Sequence, residues 1–283
     1  MGGAAESASP DSQLPEPSVL EALGEWLHGH RPVVVALSGG VDSAVMASLA
    51  FEYLQSDAVA VTGVSPSLSS EEQQAARVSS QAVGIRHLEV NTEELSRPGY
   101  RANRGDRCYH CKSELYDVIL SVRELQEHTI LDGAQASDES GDRPGMKASG
   151  ERGVESPLRI FGIDKTQVRA LARQRGLPSW DRPARPCLAS RVPVGTEVDS
   201  DLLKKVEALE TILAGEGFSI YRARCGGTRV VIEVDPQEIA RHPGASWRRR
   251  LDAVACSLGF TDRWLDARGY GGEGPPLLEP LSG

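Results

Sequence analysis

Short apolar runs alternate with amphipathic stretches along the first two thirds of the chain. The runs with the length of buried strands are VVVAL (33–37), AVAVTGV (58–64), RHLEV (86–90) and TILDGA (129–134). Helical patterns are predicted from Ser43 to about Leu54, from Ser70 to Gly84, over 112–125 and, capped by Asp164, over 165–176. Strands that alternate with helices predict an open, mostly parallel α/β sheet, in which ligands bind beyond the carboxyl ends of the strands.

The pattern changes after about Asp199. A helix over 201–217 is followed by a hairpin around Gly226 and Gly227, helical sequence over 236–258 and a possible last strand in FTDRWLD (260–266). We therefore predict a disordered tail over 1–17, an α/β domain over 18–198, a small α+β domain over 199–270 for substrate binding or oligomerisation, and a flexible tail over 271–283.

Composition narrows the class of protein. The 283 residues are 40% hydrophobic and 25% charged, as in soluble globular proteins, and no apolar run approaches the roughly 18 residues of a membrane span. The N-terminus lacks the basic and apolar parts of a signal peptide, so we expect a cytoplasmic protein without a membrane partner. The net charge of -9 weighs against a nucleic-acid partner.

The stretch VVVALSGGVDSAV (33–45) carries the sharpest chemical signal. Two adjacent glycines allow a tight turn and a close ligand approach, and the N–H groups that open the next helix form an anion site. The predicted phosphate-binding residues are Ser38, Gly39, Gly40, Asp42 and Ser43. Asp42 is also placed to hold Mg²⁺. The lysine of a Walker A loop is missing; the loop instead resembles that of the PP-loop ATP pyrophosphatases, which cleave ATP between the α and β phosphates.

Three of the five cysteines lie in charged segments. Cys108 and Cys111 form a Cys-x-x-Cys motif, and Cys187 is surrounded by Arg182, Arg185 and Arg191, cations that favour a thiolate. The motif can hold zinc, hold an iron–sulfur cluster or act as a redox pair. Three cysteine ligands leave one iron open, whereas His110 between the cysteines is expected to diverge from a Cys₃His zinc site. A thioredoxin-type pair is the least favoured, and Cys225 and Cys256 are predicted to be packing residues.

Six segments in order and spacing resemble LarE, the PP-loop sulfur transferase family of nickel-pincer nucleotide biosynthesis. They are SGGVDS, NRGDRCYHCKSELY, LDGAQASD, DRPGMKA, VESPL and LPSWDRPARPCLASR. The resemblance covers about residues 18–265. SGGxDS indicates only the superfamily, whereas the CYxCK and WDxPAxxCLASR segments are much more specific. The resemblance implies the PP-loop, or adenine nucleotide alpha hydrolase-like, fold with helices on both faces of the sheet.

The resemblance also implies a reaction. The family uses Mg-ATP to adenylate the carboxylates of pyridinium-3,5-biscarboxylic acid mononucleotide and converts both to thiocarboxylates. In one version the cysteine matching Cys187 gives up its own sulfur and becomes dehydroalanine. In another, three cysteines hold a [4Fe–4S] cluster whose fourth iron carries the sulfur. Cys108, Cys111 and Cys187 match the second version, so the cluster is the favoured expectation.

Further site residues are expected on the strand ends and in the second domain. Gly133 and Asp138 are expected near ATP, in a loop that reads GAQASD where the family has GTNxDD, so that Gln135 and Ser137 depart from the pattern. Arg222 and Arg224 are expected to contact the phosphate of the nucleotide substrate, and Arg191 and Glu210 are expected to take part in substrate binding. We expect a homo-oligomer that meets other nickel-pincer biosynthesis proteins transiently.

Three other classes of function agree less well with the sequence. A PP-loop tRNA thiolase shares the loop and the Cys-x-x-Cys motif, but the net charge and the lack of an RNA-binding extension count against it. A PP-loop amidotransferase subunit would leave the cysteines without a role, and a non-enzymatic nucleotide-binding module would not explain the Cys187 segment.

Overall fold

The computed structural model describes residues 13–138, 144–242, 246–271 and 275–282. Most of the predicted N-terminal tail and the start of DRPGMKA therefore lie outside the described residues. The helices are α1 Pro17–Gly29, α2 Val41–Leu54, α3 Ser70–Val83, α4 Pro98–Ala102, α5 Arg107–Ser121, α6 Pro144–Glu151, α7 Pro157–Ile160, α8 Lys165–Gln174, α9 Ser200–Gly215, α10 Pro236–Arg241 and α11 Ser246–Ser257. The strands are β1 Val33–Ala36, β2 Ala58–Val64, β3 Arg86–Asn91, β4 Thr129–Leu131, β5 Tyr221–Gly226, β6 Arg229–Val234, β7 Asp262–Asp266 and β8 Leu278–Pro280.

The contacts divide the chain into two units. The first comprises Met1–Glu94 and Cys108–Arg185, and the second comprises Leu95–Arg107 and Pro186–Gly283, as far as their residues are described. Residues 95–107 and 186–198, which the sequence pattern assigned to the first domain, thus belong to the second unit. The chain passes from the second unit back into the first at Cys108.

The first unit is built on a parallel sheet in the order β3-β2-β1-β4. Alternate residues of β1 face opposite sides of this sheet. Val33 and Val35 join an apolar core with α1, α2 and α8, while Val34 joins a second core with Tyr116 and Ile119 of α5. Helices thus cover both faces, which is why the strands read as continuous apolar runs. The predicted open parallel α/β sheet is confirmed.

The strand order places a switch point between β1 and β4. From β1 the chain moves outward to β2 and β3 and then returns to the other side of β1 as β4. The residue pairs Val35–Ala60 and Val35–Leu131 show that the carboxyl ends of the three strands lie side by side. In open α/β sheets this crevice is where ligands bind. The SGG segment follows β1, and Asp132 and Gly133 follow β4.

Local sequence sets several helix ends. The Ser69 side chain accepts a hydrogen bond from the Glu72 N–H at the start of α3, and Gly84 ends that helix in the left-handed conformation. Asp164 and Gln167 form a reciprocal capping box at the start of α8. These predicted start and stop signals are confirmed.

The second unit is the small α+β part that the change in pattern predicted. Its sheet has the order β5-β6-β7-β8, with a tight hairpin between Gly226 and Arg229. Along β5, buried residues Tyr221, Ala223 and Cys225 alternate with the half-buried Arg222 and Arg224. Helix α9 packs against β5 and against α11.

Some elements differ from the prediction. Helix α5 begins at Arg107 and not at Lys112, because RCYHC lacks apolar periodicity and gave no helical signal. Helices α1, α4, α6 and α7 were not predicted, and β8 lies in the segment expected to be a tail. Across the described ranges, no helix combines the length and apolar character needed to cross a membrane.

Candidate active site

The SGGVDS loop is held in shape by its own hydroxyl groups. The Ser38 N–H donates to Ser43 Oγ at 3.1 Å, and Ser43 Oγ donates to the Gly40 carbonyl oxygen at 3.1 Å. The two serine hydroxyls are also 3.1 Å apart. Gly39 has φ +82°, and a Cβ there would lie 2.7 Å from the Glu72 carbonyl oxygen of α3. Glycine is therefore required at this position by conformation and by space.

Gly133 and Gly40 lie beside the N-terminus of α2, the first closely packed against it and the second open. A Cβ on Gly133 would lie 2.6 Å from the Ser43 nitrogen, so the loop after β4 packs directly on the first turn of α2. A Cβ on Gly40 would meet only Ser38 Oγ, at 3.4 Å, and would otherwise face open space. The first N–H groups of a helix lack partners within the helix. The open side of Gly40 therefore leaves them accessible to an anion.

Asp42, in the first turn of α2, contacts a cation that the sequence analysis missed. Lys165 Nζ lies 2.8 and 2.6 Å from the two carboxylate oxygens of Asp42, and both side chains are partly exposed. Lys165 is the first residue of α8, where the helix dipole disfavours a positive charge. A lysine at this unfavourable position was the sequence signal that could have indicated a nearby carboxylate partner. The Asp42 carboxylate fits the oxygen ligands that Mg²⁺ prefers, with Lys165 as the competing cation.

In the loop after β4, the two residues that depart from the family pattern, Gln135 and Ser137, form a hydrogen bond with each other. Gln135 is buried, and its side-chain oxygen accepts from the Ser137 N–H at 2.7 Å. The Asp138 carboxylate accepts from the Gln135 N–H at 3.0 Å. Gln135 thus stabilises the turn that carries Asp138. The predicted ATP contacts of Gly133 and Asp138 remain predictions.

A buried carboxylate beside this loop was not identified from the sequence. Asp132 accepts hydrogen bonds from Lys112 Nζ at 3.0 Å, Ser156 Oγ at 2.7 Å and Ser149 Oγ at 3.2 Å. Burial acts to raise the pKa of Asp132, but Lys112 and the hydrogen bonds outweigh it, and the pKa is lowered. This network ties helix α5, just after Cys111, to the end of β4.

Cys108 and Cys111 lie in the first turn of α5, three residues apart and hence on one face. Cys108 is exposed and Cys111 is half-buried. The intervening His110 packs its ring edge-on against Tyr109. The motif does open a helix, but one that follows α4 and not the first strand, unlike the thioredoxin arrangement.

Two of the arginines expected to act on Cys187 form ion pairs with carboxylates of α3. Arg182 pairs with Glu71 and Glu72, and Arg185 pairs with Glu71. Burial raises the pKa of Glu72, against the opposing effect of Arg182. The charges of both arginines are therefore balanced by carboxylates. Their predicted effect on the Cys187 thiol stays a prediction.

In the second unit, Cys187 is exposed and immediately precedes a 3₁₀ helix, Leu188–Arg191. Arg191 is buried and forms a bidentate pair with Glu210. Arg107 donates to the carbonyl oxygen of Ala189. The Asn103 side chain, fully buried, donates to the carbonyl oxygens of Pro193 and Thr196 at 2.7 and 3.0 Å. The residues around Cys187 are thus held through their backbone carbonyl groups.

The remaining predicted substrate residues lie on β5. Arg222 and Arg224 share one face, as alternation predicted. Arg222 lies over the Tyr270 ring and donates to its hydroxyl group at 2.7 Å, while Arg224 pairs with Glu233. Glu210 instead accepts from the Ala223 N–H at the edge of β5 and lies near buried Cys225. The structure does not place Glu210 on the face of the two arginines.

The two remaining cysteines, Cys225 and Cys256, differ in burial. Burial raises the pKa of the Cys225 thiol to about 12, as fits a packing residue. Cys256 is exposed on α11, so the packing role predicted for it is wrong. All five cysteines lie in described segments, and none is in a disulfide. In the part of the chain that the structure describes, no three His, Cys, Asp or Glu side chains form a group that could hold a metal.

Comparison with known proteins gives the family. Residues 17–103, from α1 through the phosphate loop, match the asparagine synthase family. An uncharacterized protein of Synechocystis is 38% identical over 254 residues, which cover 89% of this chain and 95% of the relative. The pyridinium-3,5-bisthiocarboxylic acid mononucleotide synthase of Lactiplantibacillus plantarum is 32% identical over 240 residues, or 84% of this chain and 86% of the relative.

The family model covers the loop at the switch point and ends before the segment around Cys187. An identity above 30% over most of both chains, together with the PP-loop at the end of β1, agrees with the resemblance carried by the six sequence segments. The chain belongs to the LarE-type family of PP-loop ATP-dependent sulfurtransferases.

Proposed function

We propose that this protein adenylates the carboxylates of pyridinium-3,5-biscarboxylic acid mononucleotide, with release of pyrophosphate and then AMP, and converts them to thiocarboxylates. The observation that carries the proposal is the SGGVDS loop at the switch point of the sheet, open at Gly40 and backed by the N-terminus of α2. The product named for the Lactiplantibacillus relative supports the choice of substrate.

The loop is suited to hold the two phosphates that leave as pyrophosphate. The N–H groups at the start of α2 favour anions, and Ser38 and Ser43 can add hydroxyl donors. Asp42 would hold Mg²⁺, which neutralises phosphate charge when bound. Lys165, once Asp42 takes the metal, has its ammonium group available for a phosphate oxygen in the same place. This lysine would serve where a Walker A lysine is missing.

The chemistry requires two displacements. A carboxylate oxygen attacks the α-phosphorus of ATP, the bond to the β-phosphate breaks and pyrophosphate leaves. A sulfur nucleophile then attacks the carbonyl carbon of the acyl-adenylate, and AMP leaves with the original carboxylate oxygen. If Cys187 is that nucleophile, loss of its α-proton and cleavage of its Cβ–S bond give the thiocarboxylate and dehydroalanine.

The products of ATP cleavage test this proposal. Incubation with Mg-ATP and the dicarboxylate nucleotide should release pyrophosphate and AMP. Asp42→Ala should remove this activity and leave the fold largely intact, because Asp42 is partly exposed and its ion pair is with the likewise partly exposed ammonium group of Lys165. Release of ADP and orthophosphate by the wild-type protein would contradict the proposal.

For the source of sulfur we favour a [4Fe–4S] cluster on Cys108, Cys111 and Cys187, with sacrificial Cys187 as the alternative. Among the described residues these three side chains do not form a metal-holding group, so the support is the residue type at all three family positions, since thiolates are the donors that such clusters use. A cluster with three protein ligands leaves one iron for inorganic sulfide. On either route, sulfur transfer requires Cys187, whereas Cys108 and Cys111 are required only by the first.

Anaerobic purification followed by iron and sulfide analysis distinguishes these routes. About four irons per chain, as expected for one such cluster, together with repeated turnover on added sulfide, would support the cluster. A colourless protein that transfers sulfur once and then carries dehydroalanine at position 187 would support the sacrificial route. Full activity of Cys108→Ala would rule out the cluster.

Arg222 and Arg224 are proposed to bind the phosphate of the nucleotide substrate. Both are half-buried on one face of β5, and guanidinium groups suit bidentate phosphate contacts. Their present partners, Tyr270 and Glu233, would have to share them with the substrate.

A further inference from the structure

Arg191 and Glu210 form an ion pair whose burial argues against the substrate contact first expected of them. Arg191 Nε and Nη2 donate to the two Glu210 carboxylate oxygens at 2.7 and 2.9 Å. Arg191 is 4% exposed and Glu210 is 8% exposed. With two of its three nitrogens committed to a buried carboxylate, this guanidinium presents little to a nucleotide in solution.

The third nitrogen of Arg191 acts on the backbone of Cys187. Nη1 donates to the Pro186 carbonyl oxygen at 2.5 Å and to the Cys187 carbonyl oxygen at 3.2 Å, and it also lies 3.0 Å from Ser190 Oγ. These carbonyl groups belong to the two peptide planes on either side of the Cys187 Cα atom. Holding both planes fixes φ and ψ of Cys187, and hence the direction of its Cα–Cβ bond. One side chain therefore restricts the Cys187 sulfur to the χ1 positions available from this Cβ.

Glu210 anchors this arrangement to the sheet. Besides Arg191, it accepts a hydrogen bond from the Ala223 N–H at 3.0 Å. The Asp235 N–H donates to the Ile220 carbonyl oxygen, so along the hairpin register the N–H of Ala223 points away from β6, at the free edge of β5. The contacts run from the rigid edge of β5 through Glu210 and Arg191 to the peptide planes of Cys187.

We propose that Arg191 and Glu210 are positioning residues that orient Cys187 for sulfur transfer and do not bind the substrate. This role rests on the proposed function, in which Cys187 is required whether it donates its own sulfur or ligates a cluster. Adenylation needs no such orientation. Loss of the pair should therefore separate the two half-reactions.

Three variants test the proposal. Glu210→Gln keeps an oxygen for the Ala223 N–H but leaves Arg191 buried without a counter-charge, which can prevent folding. The double variant Arg191→Met with Glu210→Gln removes that charge as well and should fold, since apolar replacement of a buried pair is often tolerated. Glu216→Gln, just after α9, is the matched control, because Glu216 pairs with Arg250, whose side chain is mostly exposed.

Two measurements decide the outcome. Hydrogen exchange is measured on the protein without bound metal, and sulfur transfer is measured on the protein as loaded for activity. In the double variant, amide hydrogen exchange across 187–192 should be about tenfold faster than in wild type, with α9 and the β5–β6 hairpin unchanged, because only local opening is affected. Single-turnover sulfur transfer should fall at least about tenfold while pyrophosphate release stays within about twofold. Glu216→Gln should match wild type in both.

Unchanged exchange across 187–192 would overturn the proposal, and so would an equal loss of pyrophosphate release and sulfur transfer, which is the signature of substrate binding. If wild-type protein released no pyrophosphate, the proposed function would fail instead. The exchange comparison would still report on the positioning of Cys187.

Discussion

At the scale of single residues, burial and partners decide what each ionisable side chain can do. Arg191 and Arg185 lie near each other in the sequence and both were expected to favour a Cys187 thiolate. In the structure each is balanced by a glutamate, Glu210 and Glu71 respectively. A count of charges along the chain could not show this, because Glu210 and Glu71 lie on α9 and α3, 19 and 114 positions from their arginines.

The Lys112–Asp132 pair leads to a prediction about stability. Asp132→Asn should destabilise the protein by about 1–2 kcal/mol, since it removes a buried carboxylate from its ion pair with Lys112, whose side chain is partly exposed so that solvent screens part of the loss. The folded-state pKa of Asp132 lies below the ordinary value of 3.8, so the contribution of the pair is present above that pH and is lost as the pH falls through the folded-state pKa.

Urea unfolding of wild type and Asp132→Asn should therefore show a difference in unfolding free energy that is full at neutral pH and shrinks below pH 3.8. Asp117→Asn, which removes a more exposed pair with Arg152, is the control and should cost less than about 1 kcal/mol. A pH-independent difference for Asp132→Asn would contradict the assigned charge state.

At the scale of elements, long apolar or capped segments were predictable and polar ones were not. Strand β2 matches its predicted range, and α8 has the capping box expected from Asp164. The first turn of α5 was missed because its charged and polar residues carry no apolar periodicity. The pairing of Lys165 with Asp42 joins α8 to α2 across 123 positions, and no local pattern encodes such a contact.

The N-terminus of α2 gives a second prediction, from its N-cap Gly40 and from Gly133, which packs on its first turn. Gly40→Ala should fold normally, since its φ of -76° suits alanine and the new methyl group meets only Ser38 Oγ. The methyl group should nevertheless weaken ATP binding about tenfold, equivalent to about 1.4 kcal/mol, because it covers the open N–H groups. Gly133→Ala should instead destabilise the protein by about 1–3 kcal/mol, because its Cβ would collide with the backbone of Ser43.

Thermal unfolding and calorimetric titration with a non-hydrolysable ATP analogue separate these effects. Gly150→Ala on α6, where a Cβ meets no atom within 4 Å, is the control for both measurements. If Gly40→Ala bound the analogue as well as wild type does, the anion site would not lie at this helix end.

At the scale of the whole molecule, the sequence led to the correct fold class and family, because the motifs lie at strand ends and their order reflects the sheet. The division of the chain into two units was harder to predict from the sequence. Residues 95–107 belong with the second unit through contacts such as that of Asn103 with Pro193, although they precede α5 in the chain. The burial of Arg191 could not be predicted either, because it depends on packing against Glu210 of another helix, α9.

The central claim is that a substrate carboxylate is activated by adenylation and then receives sulfur. The most direct measurement uses the dicarboxylate nucleotide with both carboxylates labelled with a heavy oxygen isotope, followed by mass spectrometry of the released AMP and of the nucleotide product. We expect each AMP to carry one heavy oxygen and the product to carry sulfur in its place. Unlabelled AMP, or label appearing in orthophosphate, would contradict the account.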